Sequence, residues 1–108
     1  MFHLTEKTNV DNILEKGLLI NSSTPGLNGV TTVLKQVFLI NYGCVPIFLI
    51  EDINVMLDAI KNSSKNIDNY CILEVDTNGL ELIKGKSFEG EYICTQNISP
   101  ERITINQI

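Results

Sequence analysis

Four short stretches, three of them rich in β-branched and aromatic residues, lie in the C-terminal part of the chain, and they constrain its fold most strongly. Turn-forming residues separate these stretches, which cover residues 70–75, 80–83, 91–95 and 102–105. Segments of this composition, bounded by Gly, Asn, Asp or Pro, are typical of β-strands. The Asn-Gly dipeptide at residues 78–79 predicts a tight hairpin between the first two. We therefore expect a chain organised around a β-sheet.

The N-terminal part predicts a strand followed by a helix. Residues 1–5 alternate between apolar and polar side chains, which indicates a first strand. The apolar residues of segment 10–14 share one side of a helix of about two turns, which Gly17 would end. Thr8 and Asp11 have the spacing of a capping box at the start of that helix.

The next segments predict a loop and then a helix that continues as a strand. Segment 21–29 collects Asn, Ser, Thr, Pro and Gly, a composition that favours an exposed loop. Segment 30–40 has apolar residues at helical spacing, whereas residues 37–40 taken alone fit a strand. We expect a short helix that runs into a strand.

A strand and an amphipathic helix follow, with the clearest patterns in the chain. Segment 45–50 is apolar, and Pro46 lies near its start, where a missing N–H is tolerated. Asp52 is placed to cap a helix whose apolar side is formed by Ile53, Met56, Leu57 and Ile60. The order of elements predicts one α+β domain over residues 1–108, with a mixed or antiparallel sheet and two or three short helices.

Charge and hydropathy argue against several classes of partner. The chain has 13 acidic and 8 basic residues, a net charge of −5, which disfavours DNA or RNA held by neutralised phosphates. Lys84 and Lys86 around Gly85 are the nearest approach to a basic patch, and they fit a solvated turn. The sequence has neither an apolar run of about 18 residues nor a signal-peptide pattern. We expect a cytoplasmic protein without a membrane partner.

The cysteines do not predict a metal site. Cys44, Cys71 and Cys94 are widely spaced among apolar residues, and the chain has a single histidine. Zinc sites need four suitable ligands, usually with paired Cys-x-x-Cys spacing. These thiols are therefore expected to be buried and to behave as small apolar groups.

The carboxylate of Glu91 is the first candidate for chemistry. It follows Gly90, where a backbone can approach a ligand closely, and it precedes an apolar strand. A carboxylate here can accept a hydrogen bond from a sugar hydroxyl or stabilise a developing positive charge. Glu89 would point to the same side in an extended segment and could share acid and base roles. Both glutamates also fit an exposed strand edge.

His3 and Thr5 share one face of the predicted first strand. An imidazole and a hydroxyl two residues apart offer donors and acceptors to adjacent sugar hydroxyls. A histidine near a terminus without any partner has the same sequence pattern. Tyr42, Tyr70 and Tyr92 are candidate aromatic surfaces for a base, or core residues with their hydroxyls at the surface.

Taken together, these segments resemble a small ADP-ribosyltransferase-like domain. A His-x-Thr strand precedes a helix that ends in Gly-Leu, a second strand is followed by a helix, and Gly-Glu-Tyr precedes Ile-Ser-Pro-Glu-Arg-Ile. The matching segments are residues 2–5, 9–18, 47–52, 70–76, 90–92 and 98–103. The resemblance extends over most of the chain, with short and moderately specific motifs.

The resemblance implies an NAD-binding cleft between split, mixed or antiparallel β-sheets. It gives His3 and Thr5 the role of contacts to the adenosine ribose of NAD. Tyr70 and Tyr92, two of the candidate aromatic surfaces, are predicted to be further cofactor contacts. It makes Glu91 the catalytic residue, which holds the nicotinamide ribose and supports departure of nicotinamide. The implied activity is NAD-dependent transfer of ADP-ribose to a protein or nucleotide acceptor.

Two departures from the family pattern lead to an alternative. Ile50 occupies the second-strand position that is usually polar, and the only arginine is Arg102 rather than a first-strand residue. The alternative is a catalytically inactive binding module for a nucleotide or protein, and the many Asn, Ile and Lys residues fit a viral or mobile-element source. An RNA 2′-phosphotransferase activity, which also uses NAD, ranks lower because it relies on basic residues that this acidic chain lacks.

Overall fold

The computed structural model describes residues 1–21, 32–63, 66–86 and 89–106. Within these residues the chain forms one antiparallel sheet and three α-helices, in the order strand, helix, helix, strand, helix and four strands. The strands are β1 Phe2–Glu6, β2 Ile47–Ile50, β3 Tyr70–Val75, β4 Ile83–Lys84, β5 Glu91–Cys94 and β6 Ile103–Asn106. The helices are α1 Val10–Lys16, α2 Thr32–Tyr42 and α3 Ile53–Lys61.

The sheet has the strand order β4-β5-β2-β1-β3-β6, so the N-terminal strand lies in its interior. Every pair of neighbouring strands is antiparallel. The α+β prediction is therefore confirmed, with the antiparallel alternative for the sheet and three α-helices among the described residues.

The two neighbours of β1 pair with it to different extents. All five residues of β1 pair with β3, from Phe2↔Glu74 to Glu6↔Tyr70. With β2, the register contains only Phe2↔Ile50. The pairing of β1, β3 and β6 is thus regular, whereas β1 and β2 pair at a single position.

The main core lies on the sheet face that α1 covers. Ile47, Leu49, Leu73 and Cys94 point to this face and cluster with Ile13 and Leu18 around helix α1 and with Ile98. On the opposite face the Phe38 ring of α2 lies 5.2 Å from the Phe48 ring of β2. Helix α3, which buries Met56 and Ile60, lies next to β2. Helices therefore pack on both faces of the sheet.

The helix boundaries follow the sequence signals in two cases out of three. Gly17 ends α1 with φ 85°, and its N–H donates to the Ile13 carbonyl at 2.7 Å. The Asp52 side chain caps α3 by accepting from the Asn54 N–H at 2.9 Å. The capping box predicted for α1 is wrong, because a 3-10 turn over Lys7–Asn9 leads into the helix without a side-chain cap.

Two strand predictions are also wrong. Residues 37–40 continue helix α2 as far as Tyr42, since the apolar residues follow the helical period. The 78–79 dipeptide does not form a hairpin between residues 70–75 and 80–83, because β3 pairs with β1 and β6 and β4 pairs with β5. Arg102 instead donates to the Asp76 and Asn78 carbonyls, at 3.1 and 2.6 Å, and ties this turn to the start of β6.

Cys44 and Cys94 are buried, as predicted, while Cys71 on β3 is only partly buried, and all three are reduced.

No helix among the described residues has the length and apolar character needed to cross a membrane. Most of the loop predicted over residues 21–29 lies outside the described residues.

Candidate functional site

The His3 imidazole is held in one orientation by the backbone of β2. Its Nδ1 lies 2.8 Å from the Phe48 carbonyl oxygen. A carbonyl only accepts hydrogen bonds, so Nδ1 is the donor and Nε2 of the neutral ring is an acceptor. Burial lowers the pKa of His3 from 6.5, and the hydrogen bond to Phe48 offsets part of that effect. The imidazole is therefore neutral at pH 7, with Nε2 free of a proton.

The hydrogen-bond alternation of β2 explains why a side chain is needed here. The Glu51 N–H donates to the Gly90 carbonyl at 2.9 Å, which fixes which residues of β2 bond to β5. By this alternation Phe48 directs its carbonyl towards β1. However, the β1–β2 register contains only the first residue of β1. The His3 ring thus bonds to the carbonyl that the next rung of the ladder would use.

Thr5 contributes a buried hydroxyl to the same face of β1. The residue is fully buried, and Thr5 Oγ1 has no hydrogen-bond partner among the described residues. Leaving a buried hydroxyl unpaired costs about 1–3 kcal/mol. A ligand that bonded to this oxygen would recover that free energy, so Thr5 is the second candidate contact on β1.

Glu91 begins β5 with a carboxylate that is almost fully enclosed. The residue is 7% exposed and follows Gly90, whose φ is 87°. The β4–β5 register places Gly85 opposite Glu91, and the Gly85 N–H donates to the Glu91 carbonyl at 2.7 Å. The Glu91 side chain folds over Gly85. Its Oε1 lies so close that a Cβ built on Gly85 would overlap it.

The strand order brings Glu91 close to His3 along the sheet, but on the other face. Glu91 pairs with Ile50, and Ile50 pairs with Phe2, the residue before His3. Two strand spacings separate the backbones of Glu91 and Phe2 by about 10 Å. Paired residues share a face and neighbours alternate, so His3 and Thr5 lie on the face opposite Glu91.

The two candidate glutamates differ sharply in their surroundings. Glu89 Oε1 lies 3.6 Å from Lys84 Nζ, and their side chains are 91% and 64% exposed. Such a surface ion pair contributes little to stability. Glu91 is buried at the start of a strand, so it is the stronger candidate for a site.

The candidate tyrosines are dispersed. Tyr92, next to Glu91, is partly buried and packs against the main core. Tyr42 lies in α2, with its ring 6.5 Å from that of Phe38. Tyr70 is buried at the start of β3, opposite Glu6 at the far end of β1 from His3. The roles of Tyr70 and Tyr92 as contacts to a base stay predictions.

Tyr70 lines a cavity of about 560 Å³ at that far end of the sheet. Other residues that line it are Lys7, Asp11, Asp68, Cys71 and Asn106. Burial raises the pKa of Cys71, and the nearby Lys7 ammonium counteracts this only in part. The thiol is thus protonated at neutral pH and is a poor nucleophile. Since His3, Thr5 and Glu91 do not line the cavity, the candidate chemistry is elsewhere.

Sequence reasoning missed two contributors to the site. The Phe48 carbonyl orients His3, but a backbone acceptor has no signature in residue type. Gly85 accommodates Glu91, and its position between two lysines suggested a turn. A cross-strand register between residues 85 and 91 would have revealed it, but the sequence alone did not provide that pairing.

Comparisons with known proteins do not assign the chain to a family. No protein-family model matches it, and neither a curated protein nor a solved structure does. Among the described residues, no group of three or more His, Cys, Asp or Glu side chains could hold a metal ion. A functional interpretation therefore depends on the chain's own geometry and on the motif resemblance.

Proposed function

We propose that this chain is an NAD-dependent ADP-ribosyltransferase that acts on a protein or nucleotide acceptor, with Glu91 as its catalytic residue. The main support is the enclosed carboxylate of Glu91 at the start of β5. It lies two strands from a His-x-Thr strand, whose His3 and Thr5 side chains take the opposite face of the sheet. The order of these three groups along the chain is the one that the motif resemblance implies.

The polar groups on β1 suit the hydroxyl groups of NAD. His3 Nε2 is an acceptor in the neutral ring, because Nδ1 is engaged with Phe48. Thr5 Oγ1 is both a donor and an acceptor, and it has no partner among the described residues. When bound, NAD would supply the ADP-ribosyl group and nicotinamide as the leaving group. His3 and Thr5 would bind and orient a ribose.

Glu91 would act through its charge. Its carboxylate can accept a hydrogen bond from a ribose hydroxyl and stabilise the positive charge that develops as nicotinamide departs. Because the residue is 7% exposed, water screens this interaction less than it would on the surface. The exposed carboxylate of Glu89 lacks that advantage.

The test measures nicotinamide release from NAD by the wild type and by Glu91→Gln, with Glu89→Gln as the matched control. We expect Glu91→Gln to lower the rate on the order of 10²-fold, because it removes the charge and keeps the shape. Glu89→Gln should retain the wild-type rate. The proposal fails if the wild type releases no nicotinamide with protein or nucleotide acceptors, or if Glu91→Gln is as active as wild type.

A second candidate function is a binding module that retains the fold without turnover. Ile50 favours it, because this apolar residue pairs directly with Glu91, where a polar neighbour is usual in the family that the chain resembles. Calorimetric titration with NAD and with ADP-ribose separates the two. Binding without nicotinamide release supports the module for nucleotides, whereas binding of neither supports a protein partner.

A further inference from the structure

We infer that Gly85 is a positioning residue for Glu91, an inference that rests on the proposed function of this carboxylate. The absent side chain of Gly85 leaves the space in which the Glu91 carboxylate lies. Gly85 itself touches the carboxylate and not the reacting atoms, so its effect on catalysis is exerted through Glu91.

The contacts at Gly85 involve the whole end of the Glu91 side chain. A Cβ on Gly85 would overlap Glu91 Oε1 and lie 2.5 Å from Cγ and 2.7 Å from Cδ. The backbones are held together by the 2.7 Å hydrogen bond from the Gly85 N–H to the Glu91 carbonyl. The two residues therefore cannot separate without breaking the β4–β5 pairing.

Backbone conformation does not explain a glycine at this position. Gly17, Gly43, Gly79 and Gly90 have positive φ, and Gly85 is not among the positive-φ glycines of the described residues. An alanine can adopt its backbone conformation without strain. Space for the carboxylate is then the physical reason for glycine, and Gly85→Ala is a test of that space alone.

An added methyl group would displace the carboxylate rather than the strand. Ordinary contact needs at least 3.4 Å, so the end of the Glu91 side chain would have to move by about 1 Å. A displacement of this size can cost about 10²-fold in rate when a catalytic group depends on its position. The enclosure of Glu91 leaves few alternative rotamers.

A double-mutant cycle tests the contact without any assay of activity. We expect Gly85→Ala to lower the urea midpoint in the wild-type background but not in a Glu91→Ala background, where the overlapping atoms are gone. Gly43→Ala is the control, since no atom lies within 4 Å of its Cβ and its cost comes from the positive φ alone; its effect should be equal in both backgrounds. An equal loss for Gly85→Ala in both backgrounds overturns the inference.

Kinetics test the positioning role itself. In Gly85→Ala, kcat for nicotinamide release should fall about 10²-fold with a much smaller change in KM, whereas Gly43→Ala should retain its kcat. Coupling in the stability cycle together with an unchanged kcat would overturn the positioning role. If the wild type has no turnover, the proposed function fails, and the same result removes the positioning role while the cycle still decides the contact.

Discussion

The two sides of strand β1 are built differently. Towards β3, all five of its residues pair in regular register. Towards β2, only Phe2 pairs, and the His3 imidazole bonds to the next carbonyl in the row. One strand thus supplies a continuous ladder on one side and a side-chain hydrogen bond on the other.

This difference shows how a carbonyl keeps a hydrogen-bond partner where the pairing of two strands stops. A buried carbonyl without a partner is costly, so two strands normally separate only where water or another group replaces the ladder. The imidazole provides that replacement for Phe48. His3 therefore contributes to the fold and also presents Nε2 as an acceptor, and a substitution will affect both.

Hydrogen exchange should detect the asymmetry within β1, and this is the largest effect that we expect. The Val75 N–H donates to the Met1 carbonyl, and this bond sets the alternation, so the His3 and Thr5 amides face β3 while the Leu4 amide faces β2. We expect His3 and Thr5 to exchange at least about 10²-fold more slowly than Leu4, as local opening towards β2 requires less free energy. Residue-resolved exchange by NMR measures this. Similar protection of all three amides would show that the β1–β2 ladder continues.

Local sequence patterns predicted the elements that depend on local physics. Tyr70–Val75 is a strand with the predicted bounds, and Asp52 and Gly17 delimit helices as expected. The 78–79 dipeptide misled because a hairpin also needs a strand partner, and β3 already has partners on both sides. Tertiary pairing overrode the turn propensity there.

The sequence indicated His3, Thr5 and Glu91 as candidates, but it showed neither their geometry nor the contributions of Phe48 and Gly85. Glu91 and Thr5 are buried, whereas Glu89 is exposed, and the sequence alone does not show this difference. Which face each residue takes depends on register, and the register was unknown. The sequence therefore suggested His3 and Glu91 as one site, without showing that alternation places them on opposite faces.

The pH dependence of stability should report on the His3 imidazole, the side chain on the β2 side of β1. We expect a smaller effect here. The pKa of His3 is lowered from 6.5 in the folded protein by burial, so below pH 6.5 the unfolded chain binds more protons. Stability from this group is complete above pH 6.5 and is lost as the pH falls towards the folded pKa. One proton gives a slope of at most about 1.4 kcal/mol per pH unit.

Urea denaturation of the wild type and of His3→Asn between pH 7 and pH 5 measures this contribution. Asparagine keeps an N–H donor near the Phe48 carbonyl but does not titrate. We expect the wild type to lose stability relative to the variant as the pH falls. Equal pH profiles would mean that the pKa of His3 is the same in the folded protein as in the unfolded chain.

The smallest effect is expected at Thr5, on the regular β3 side of β1. Thr5→Val keeps the shape and removes a buried hydroxyl that has no partner among the described residues, so the free energy of unfolding should stay equal or rise by about 1 kcal/mol. Thr104→Val, at an exposed position of β6, is the control and should change it by no more than about 0.5 kcal/mol. If Thr5 binds NAD as proposed, the same variant should weaken NAD binding by about fivefold in calorimetry. A clear loss of stability in Thr5→Val would instead mean that the hydroxyl is bonded within the fold, and Thr5 would then belong to the core and not to the site.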